Sequence, residues 1–379
     1  MTTHPAPQRD PHPEGDATDP EGFRPGARLL SPPHIDAAAQ PWADRLWAAI
    51  GAQDEYAALE VVESALAAGL APESVLLDVI GTVQHRVGIE WAANRMTVAD
   101  EHAATAISER AVSALPRPPR PDVAAAERTR VTVACVDGEW HALPARLLAE
   151  TLRLRGFHVD YLGAHVPSPH LIAHLHRTAP AAVALSSSLP PRLPTAHAAI
   201  TACQAAGVPV IAGGAAFGPD GRYARLLGAD AWASDARAAA DRLAEGLHRP
   251  SVGHQVADDL PHLKDQEYTM VARSRVRLVR ETLQGLQDRF PAMRDYDDAQ
   301  RDRTAEDLAH IADFLAVALY VDDPTLFTGF LTWTADVLTA RKVPARSLVP
   351  TLELLQEHLH DFPRASALLA DGRSALATC

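Results

Sequence analysis

From Thr129 to about His248, short β-branched runs alternate with amphipathic helical stretches, and this alternation limits the fold more than any other feature of the chain. The runs Val131–Val136, His158–Leu162, Ala182–Leu185, Val208–Ile211 and Ala231-Trp232-Ala233 predict strands. Pro144–Arg155, Pro169–Ala179, Thr195–Ala206, Ala216–Leu227 and Ala236–Glu245 predict the helices that follow them. Strict βα alternation of five strands predicts a doubly wound parallel sheet with helices on both faces. Such sheets bind ligands in the crevice just past the carboxyl ends of the strands. The residues that follow each strand are therefore where chemistry is expected.

Both flanks read as helical. Across residues 41–116, Leu46, Ile50, Tyr56, Leu59, Val62, Leu66 and Leu70 recur at helical spacing, with a stop at Gly69. Ala71-Pro72-Glu73 opens a further helix with Val75, Leu76, Val79, Ile80, Val83 and Val87 on one face. A loop is expected around Trp91 to Met96, and Thr97-Val98-Ala99-Asp100 has the form of a capping box before the last helix. These residues predict a four-helix bundle. Residues 265–379 carry the amphipathic runs Val271–Leu286, Thr304–Tyr320, Leu326–Ala340 and Leu348–Leu359, broken at Asp323-Pro324 and Val343-Pro344. They predict an independent all-helical domain, globin-like or a bundle. Residues 117–128, with PRPPRPD nearby, and residues 249–264 read as linkers. Residues 1–40, rich in Pro, Gly, Asp and His, read as a disordered leader. The expected architecture is multidomain, α followed by α/β followed by α.

Composition removes several function classes. A formal net charge of −13 with no basic block argues against a nucleic-acid partner. Cys135, Cys203 and Cys379 are too few and too scattered for a disulfide framework or a Cys-based zinc site. No signal peptide and no apolar run long enough to span a bilayer is present, so a soluble cytoplasmic protein without a membrane partner is expected.

Three constellations carry chemistry. Glu139-Trp140-His141 follows the first strand, where an imidazole can project over the crevice as an axial metal ligand while the nearby carboxylate fixes its tautomer. Ser186-Ser187-Ser188 follows the third strand and Gly213-Gly214 the fourth. Their hydroxyls can donate to an aromatic nitrogen or a phosphate, and the glycines permit close backbone approach. In the bundle, Trp91 offers a flat apolar lid ten residues before Glu101-His102. Each group also fits a plainer role: a solvated loop His, turn chemistry, core packing of Trp91, and helix-dipole complementarity for Glu101.

Trp-x9-Glu-His in a bundle, then Glu-x-His in a Rossmann-like domain, resembles the cobalamin-binding module known from methionine synthase. It is closer still to the adenosylcobalamin photoreceptors that regulate carotenoid genes. The resemblance covers about Trp42 to Glu245. It implies that His141 is the lower cobalt ligand in a base-off, His-on mode, with Glu139 and Trp140 in the same motif. Ser186, Ser187 and Ser188 would line the slot for the dimethylbenzimidazole tail beside Gly213 and Gly214, and Trp91, Glu101 and His102 would cover the adenosyl face. Two departures stand out. The chain has Glu139 and Pro144 where the methionine-synthase pattern has Asp and Gly; the Glu matches the photoreceptor branch, and the Pro alters only the helix start. Ala92 stands where the carotenoid-type receptors carry a His directly after the Trp, which leaves open what ligates cobalt from above after photolysis.

With no methyltransferase or mutase domain and an appended helical region, the chain looks like the photocobilins, which bind biliverdin beside cobalamin. That likeness implies a light sensor without catalytic turnover, in which light-driven Co–C cleavage alters domain packing and self-association and signals to an output protein. A bilin needs a flat apolar slot, cations for two propionates and a polar group at its pyrrole nitrogens. Arg301, Arg303, His310 and Phe314 on one helix are the residues expected to supply them, noncovalently since no Cys other than Cys379 occurs there. Haem on His310 is the rival for this domain. A corrinoid methyl carrier for a separate methyltransferase is the rival for the whole chain.

Overall fold

The computed structural model describes residues 36–116, 130–248 and 260–377, so most of the expected leader, the Pro-rich linker and most of the second linker lie outside the described residues. Helices α1 (Gln40–Gly51) and α2 (Glu55–Ala67) come first, and the Asp54 carboxylate caps α2 by accepting from the Ala57 N–H at 3.0 Å. Helix α3 (Pro72–Ser74), a π-helical segment (Val75–Gly81) and α4 (Thr82–Ala92) run on as one rod, and α5 (Val98–Ser113) closes the bundle. The capping box at Thr97 and Asp100 is formed in both directions. Leu46, Ile50, Val62, Leu76, Ile80, Val87 and Ile107 fill the bundle core. Two readings need correction. The Asp54 cap restarts the helix and leaves Tyr56 80% exposed, off the buried face. Trp91 sits in the last turn of α4 rather than in a loop; the chain turns only at Asn94, whose φ is 55°.

The central unit is a parallel sheet of order β2-β1-β3-β4-β5, made of β1 (Arg130–Cys135), β2 (His158–Gly163), β3 (Ala182–Ser186), β4 (Val210–Gly213) and β5 (Ala231–Trp232). Strands β1 and β3 are buried on both faces and mostly apolar because helices cover both sides. The connecting helices are α6 (Ala142–Leu154), α7 (Ser168–Thr178), α8 (Leu193–Ala205), α9 (Arg222–Leu226) and α10 (Ala236–Glu245). The helix expected over Ala216–Leu227 is instead a 3-10 turn at Ala215–Phe217 and the short α9. Gly218 and Gly221, at φ of 82° and 71° around Pro219, break it, so Phe217 and Tyr223 reach the core from separate pieces. The strand order reverses between β1 and β3, which places a ligand crevice between the loops that leave them.

Helices α11 (Glu267–Arg289), α12 (Asp298–Val321), α13 (Pro324–Ala340), α14 (Leu348–His358) and α15 (Pro363–Ala377) make the last unit, α15 having gone unread in the sequence. It is all-helical as expected but not independent. Leu185, Leu193, Ile200 and Val210 of the sheet layer belong to the same continuous apolar core as Phe314, Leu319, Phe327 and Leu331. The reason is α12, whose residues 314–321 are buried on every side, so it packs against two layers at once. The opposite sheet face packs Val131 and Val133 on Ala145 and Leu152 of α6, while Leu143 of α6 enters the bundle core. Charges fasten that second junction: Arg237 forks onto Asp78 at 2.9 and 2.8 Å, and Arg155 onto Glu73 at 2.9 and 2.8 Å. No helix among the described residues is long and apolar enough to cross a membrane.

Candidate cofactor-binding site

The loop after β1 turns on Gly138, whose φ is 80°. A Cβ there would lie 2.8 Å from the Arg192 guanidinium, which packs against the glycine. The turn delivers Glu139 to the interior and His141 to the position just before α6. Glu139 is fully buried. Its Oε1 accepts from the His141 backbone N–H at 3.0 Å and meets the His141 Nδ1 at 2.6 Å. Its Oε2 accepts from the Ser188 N–H at 2.7 Å, the Leu189 N–H at 3.0 Å and the Ser187 hydroxyl at 3.2 Å. Burial works against the charged form, but the bonds from His141 and then Ser188 prevail and bring the Glu139 pKa down to about 2. An ionised carboxylate only accepts, so Nδ1 of His141 carries the proton and Nε2 holds the lone pair that a metal would take. The neighbouring Cys135 is no competing ligand: burial and the Glu139 charge push its thiol up to about 12.

Trp140 points the other way. It is 54% exposed and stacks on His165, with ring centroids 4.7 Å apart and planes within 7°. His165 is tied to the same loop, its N–H donating to the Glu139 carbonyl at 2.8 Å and its Nδ1 accepting from the Gly138 N–H at 2.9 Å.

The serine and glycine groups come together beside this loop, though with a different division of labour from the one expected. The Ser187 hydroxyl is spent on Glu139, and its N–H donates to the Gly213 carbonyl at 3.1 Å. Gly214, at φ of 100°, has the Ser187 carbonyl 2.3 Å from where a Cβ would stand. The close approach that Gly214 permits is thus by the chain's own backbone. Ser186 is buried at the end of β3, and Ser188 is half-buried.

In the bundle, the buried Glu101 accepts from the Thr105 hydroxyl at 3.1 Å and pairs with the half-exposed His102 at Nδ1, 2.8 Å away. Trp91 is 3% exposed yet lies in none of the hydrophobic cores. Its ring stacks on Trp333 of α13, with centroids 6.4 Å apart, and the Arg341 guanidinium lies 5.0 Å above it.

A pocket of about 280 Å³ opens between the segment after β3 and helices α11 and α12. Leu189, Arg192, Tyr268, Arg275, His310 and Phe314 are among its lining. His310 and Phe314 are among the residues expected from the sequence to hold a bilin, while Arg192 and Arg275 are not. Arg301 and Arg303 do not line it, and Arg301 lies 3.6 Å from Asp298 instead. Arg275 forks onto Asp313 at 2.6 and 3.0 Å. Burial holds the His310 pKa below the ordinary imidazole value, against the pull of Asp313 and with the push of Arg275. Phe314 stacks on Phe330 at 4.0 Å.

A helical bundle packed on a five-stranded parallel α/β unit thus carries an acid-clamped imidazole at the β1/β3 crevice. Residues 129–243 match the family model described as a B12 binding domain, and residues 42–115 match a second model of that description. The chain therefore contains a cobalamin-binding module. It is similar to the monomethylamine corrinoid protein of Methanosarcina barkeri, at 20% identity and a TM-score of 0.45 over 54% of this chain and 98% of that one. It is also similar to a cobalamin-binding protein from Desulfitobacterium hafniense, at 22% identity and a TM-score of 0.29 over 54% of this chain and 97% of that one. A third likeness, to the methanol:cobalamin methyltransferase complex of Methanosarcina barkeri, has 16% identity and a TM-score of 0.29 over 58% of this chain and 81% of that one. No curated protein matches the chain.

Proposed function

We propose that this chain is a non-enzymatic light sensor that holds adenosylcobalamin base-off, with His141 as lower cobalt ligand, and biliverdin in the neighbouring pocket. The observation that carries the reading is Trp91, which is buried beneath the appended helical unit rather than left open. A methyl carrier has to present its upper corrin face to a separate enzyme; a lid tied to a further domain suits a sensor. The residues fit the group, since Glu139 fixes the His141 tautomer and leaves Nε2 as the nitrogen that a cobalt centre would take. When bound, an alkylcobalamin supplies a cobalt–carbon bond that visible light breaks. Trp91, Glu101 and His102 exclude water from the upper face, and Ser186, Ser188 and Gly213 border the slot for the nucleotide tail. Release of Trp91 would loosen the bundle from its neighbours and change self-association, the signal passed to an output protein.

The pocket suits biliverdin for three reasons. Phe314 and Tyr268 offer aromatic walls, Arg192 offers a cation for a propionate beside the Arg275–Asp313 pair, and His310 offers a ring nitrogen to the pyrroles. No Cys is among its described lining residues, in keeping with noncovalent attachment. Purified protein given adenosylcobalamin and biliverdin in the dark should retain both through gel filtration, bleach the alkylcobalamin bands under green light and change elution volume. Retention of cobalamin without a red-absorbing bilin removes the biliverdin part. Uptake of haem with an iron Soret band abolished by His310→Ala favours haem instead. Methyl transfer to a thiol through a separate methyltransferase, with no light response, favours the carrier.

A further inference from the structure

Trp91 is buried without belonging to the bundle core, and its indole N–H is buried with no hydrogen-bond partner. A native fold rarely leaves such a donor unanswered unless something else is meant to answer it. Two groups outside the bundle flank the ring. Trp333 stacks on it with the planes 24° apart, and Arg341 places its guanidinium over the ring. Both come from α13 and its carboxyl end, more than two hundred residues away in sequence. The bundle and the last helical unit therefore meet each other at this ring.

We propose that Trp333 and Arg341 are positioning residues for the upper corrin face. They hold Trp91 so that its N–H meets a hydrogen-bond acceptor on the group above cobalt, which selects a nucleoside over a methyl group. This rests on the proposed reading in which Trp91 covers that face, and it adds the last helical unit to the site. The physics is modest and specific. The ring stack and the cation over it keep Trp91 from its other rotamers. A neutral hydrogen bond to a buried indole is worth roughly a factor of ten in affinity, available only to an upper group with an acceptor.

The test titrates the full chain in the dark with adenosylcobalamin, methylcobalamin and hydroxocobalamin, for the wild type and for Trp333→Ala, Arg341→Ala and Arg341→Lys. Trp333→Ala and Arg341→Ala should each weaken adenosylcobalamin about tenfold and methylcobalamin, which has no acceptor above cobalt, less than about twofold. Arg341→Lys, which keeps the cation, should recover part of the loss. Near-UV circular dichroism of the ligand-free protein should lose the coupled-indole signal in Trp333→Ala. Should that variant fail to fold, Trp333→Phe with Arg341→Ala reads the same difference. Equal losses for all three cobalamins, or no loss for any, overturn the proposal while leaving the cobalamin module standing. A wild type that takes up methylcobalamin and hydroxocobalamin but gains nothing from the adenosyl group overturns it as well. A wild type that binds none of the three sinks the underlying reading with it.

Discussion

Glu139 is a fully buried carboxylate with five donors: the N–H and Nδ1 of His141, the hydroxyl of Ser187 and the N–H groups of Ser188 and Leu189. That cage explains its depressed pKa and makes two predictions. A carboxyl whose folded pKa is about 2, against an ordinary 4.5, contributes its stability fully above pH 4.5 and loses it as pH falls toward 2. The melting temperature of the ligand-free protein should therefore drop across that window, and Glu139→Gln should flatten this part of the drop. The same substitution weakens the hold on His141 and should cost about 10- to 100-fold in cobalamin affinity, read by titration of the corrin absorbance. Gly214→Ala is the steric counterpart. Its Cβ would stand 2.3 Å from the Ser187 carbonyl at a φ of 100°, so it should destabilise the fold by roughly 2–4 kcal/mol, measured by denaturant midpoint. An unchanged midpoint would mean that the loop pair moves apart freely.

At the scale of elements, the bundle is fixed to the sheet by ion pairs rather than by a shared core alone. Asp78 lies in the π-helical segment, is 3% exposed, and is answered by both arms of Arg237. Arg237→Ala should cost about 2 kcal/mol, less than a fully buried pair because the arginine is partly solvated. Arg237→Ala with Asp78→Ala should recover part of that, which a double-mutant cycle measures. The elements themselves were largely legible. β-branched runs mark the interior strands because a strand buried on both faces cannot be polar on either, and Thr97 and Asp100 announced α5 because a capping box is local. What failed was non-local or fine-grained. Gly218-Pro219 splits an apolar pattern that reads as one helix, and Trp91 remains helical because Asn94, not the tryptophan, makes the turn.

For the whole molecule, the α/β unit carries a bundle joined through α6 and a helical unit that shares its core, and the two meet at Trp91 and Trp333. Glu139 and His141 were readable because two residues on one loop suffice to state the chemistry. The pocket was only half readable. Arg192 follows β3 and Arg275 lies on α11, and no spacing rule links residues brought together only by packing between layers. The same holds for Arg341 over Trp91. Everything proposed for this arrangement depends on His141 ligating cobalt from below, and one spectrum tests that. Wild type and His141→Ala are loaded with adenosylcobalamin in the dark, passed through gel filtration and compared by absorbance. The wild type should elute with a His-ligated, base-off spectrum, and the variant should show a base-on or water-ligated spectrum or no corrin at all. Identical spectra for the two proteins would contradict the assignment of His141.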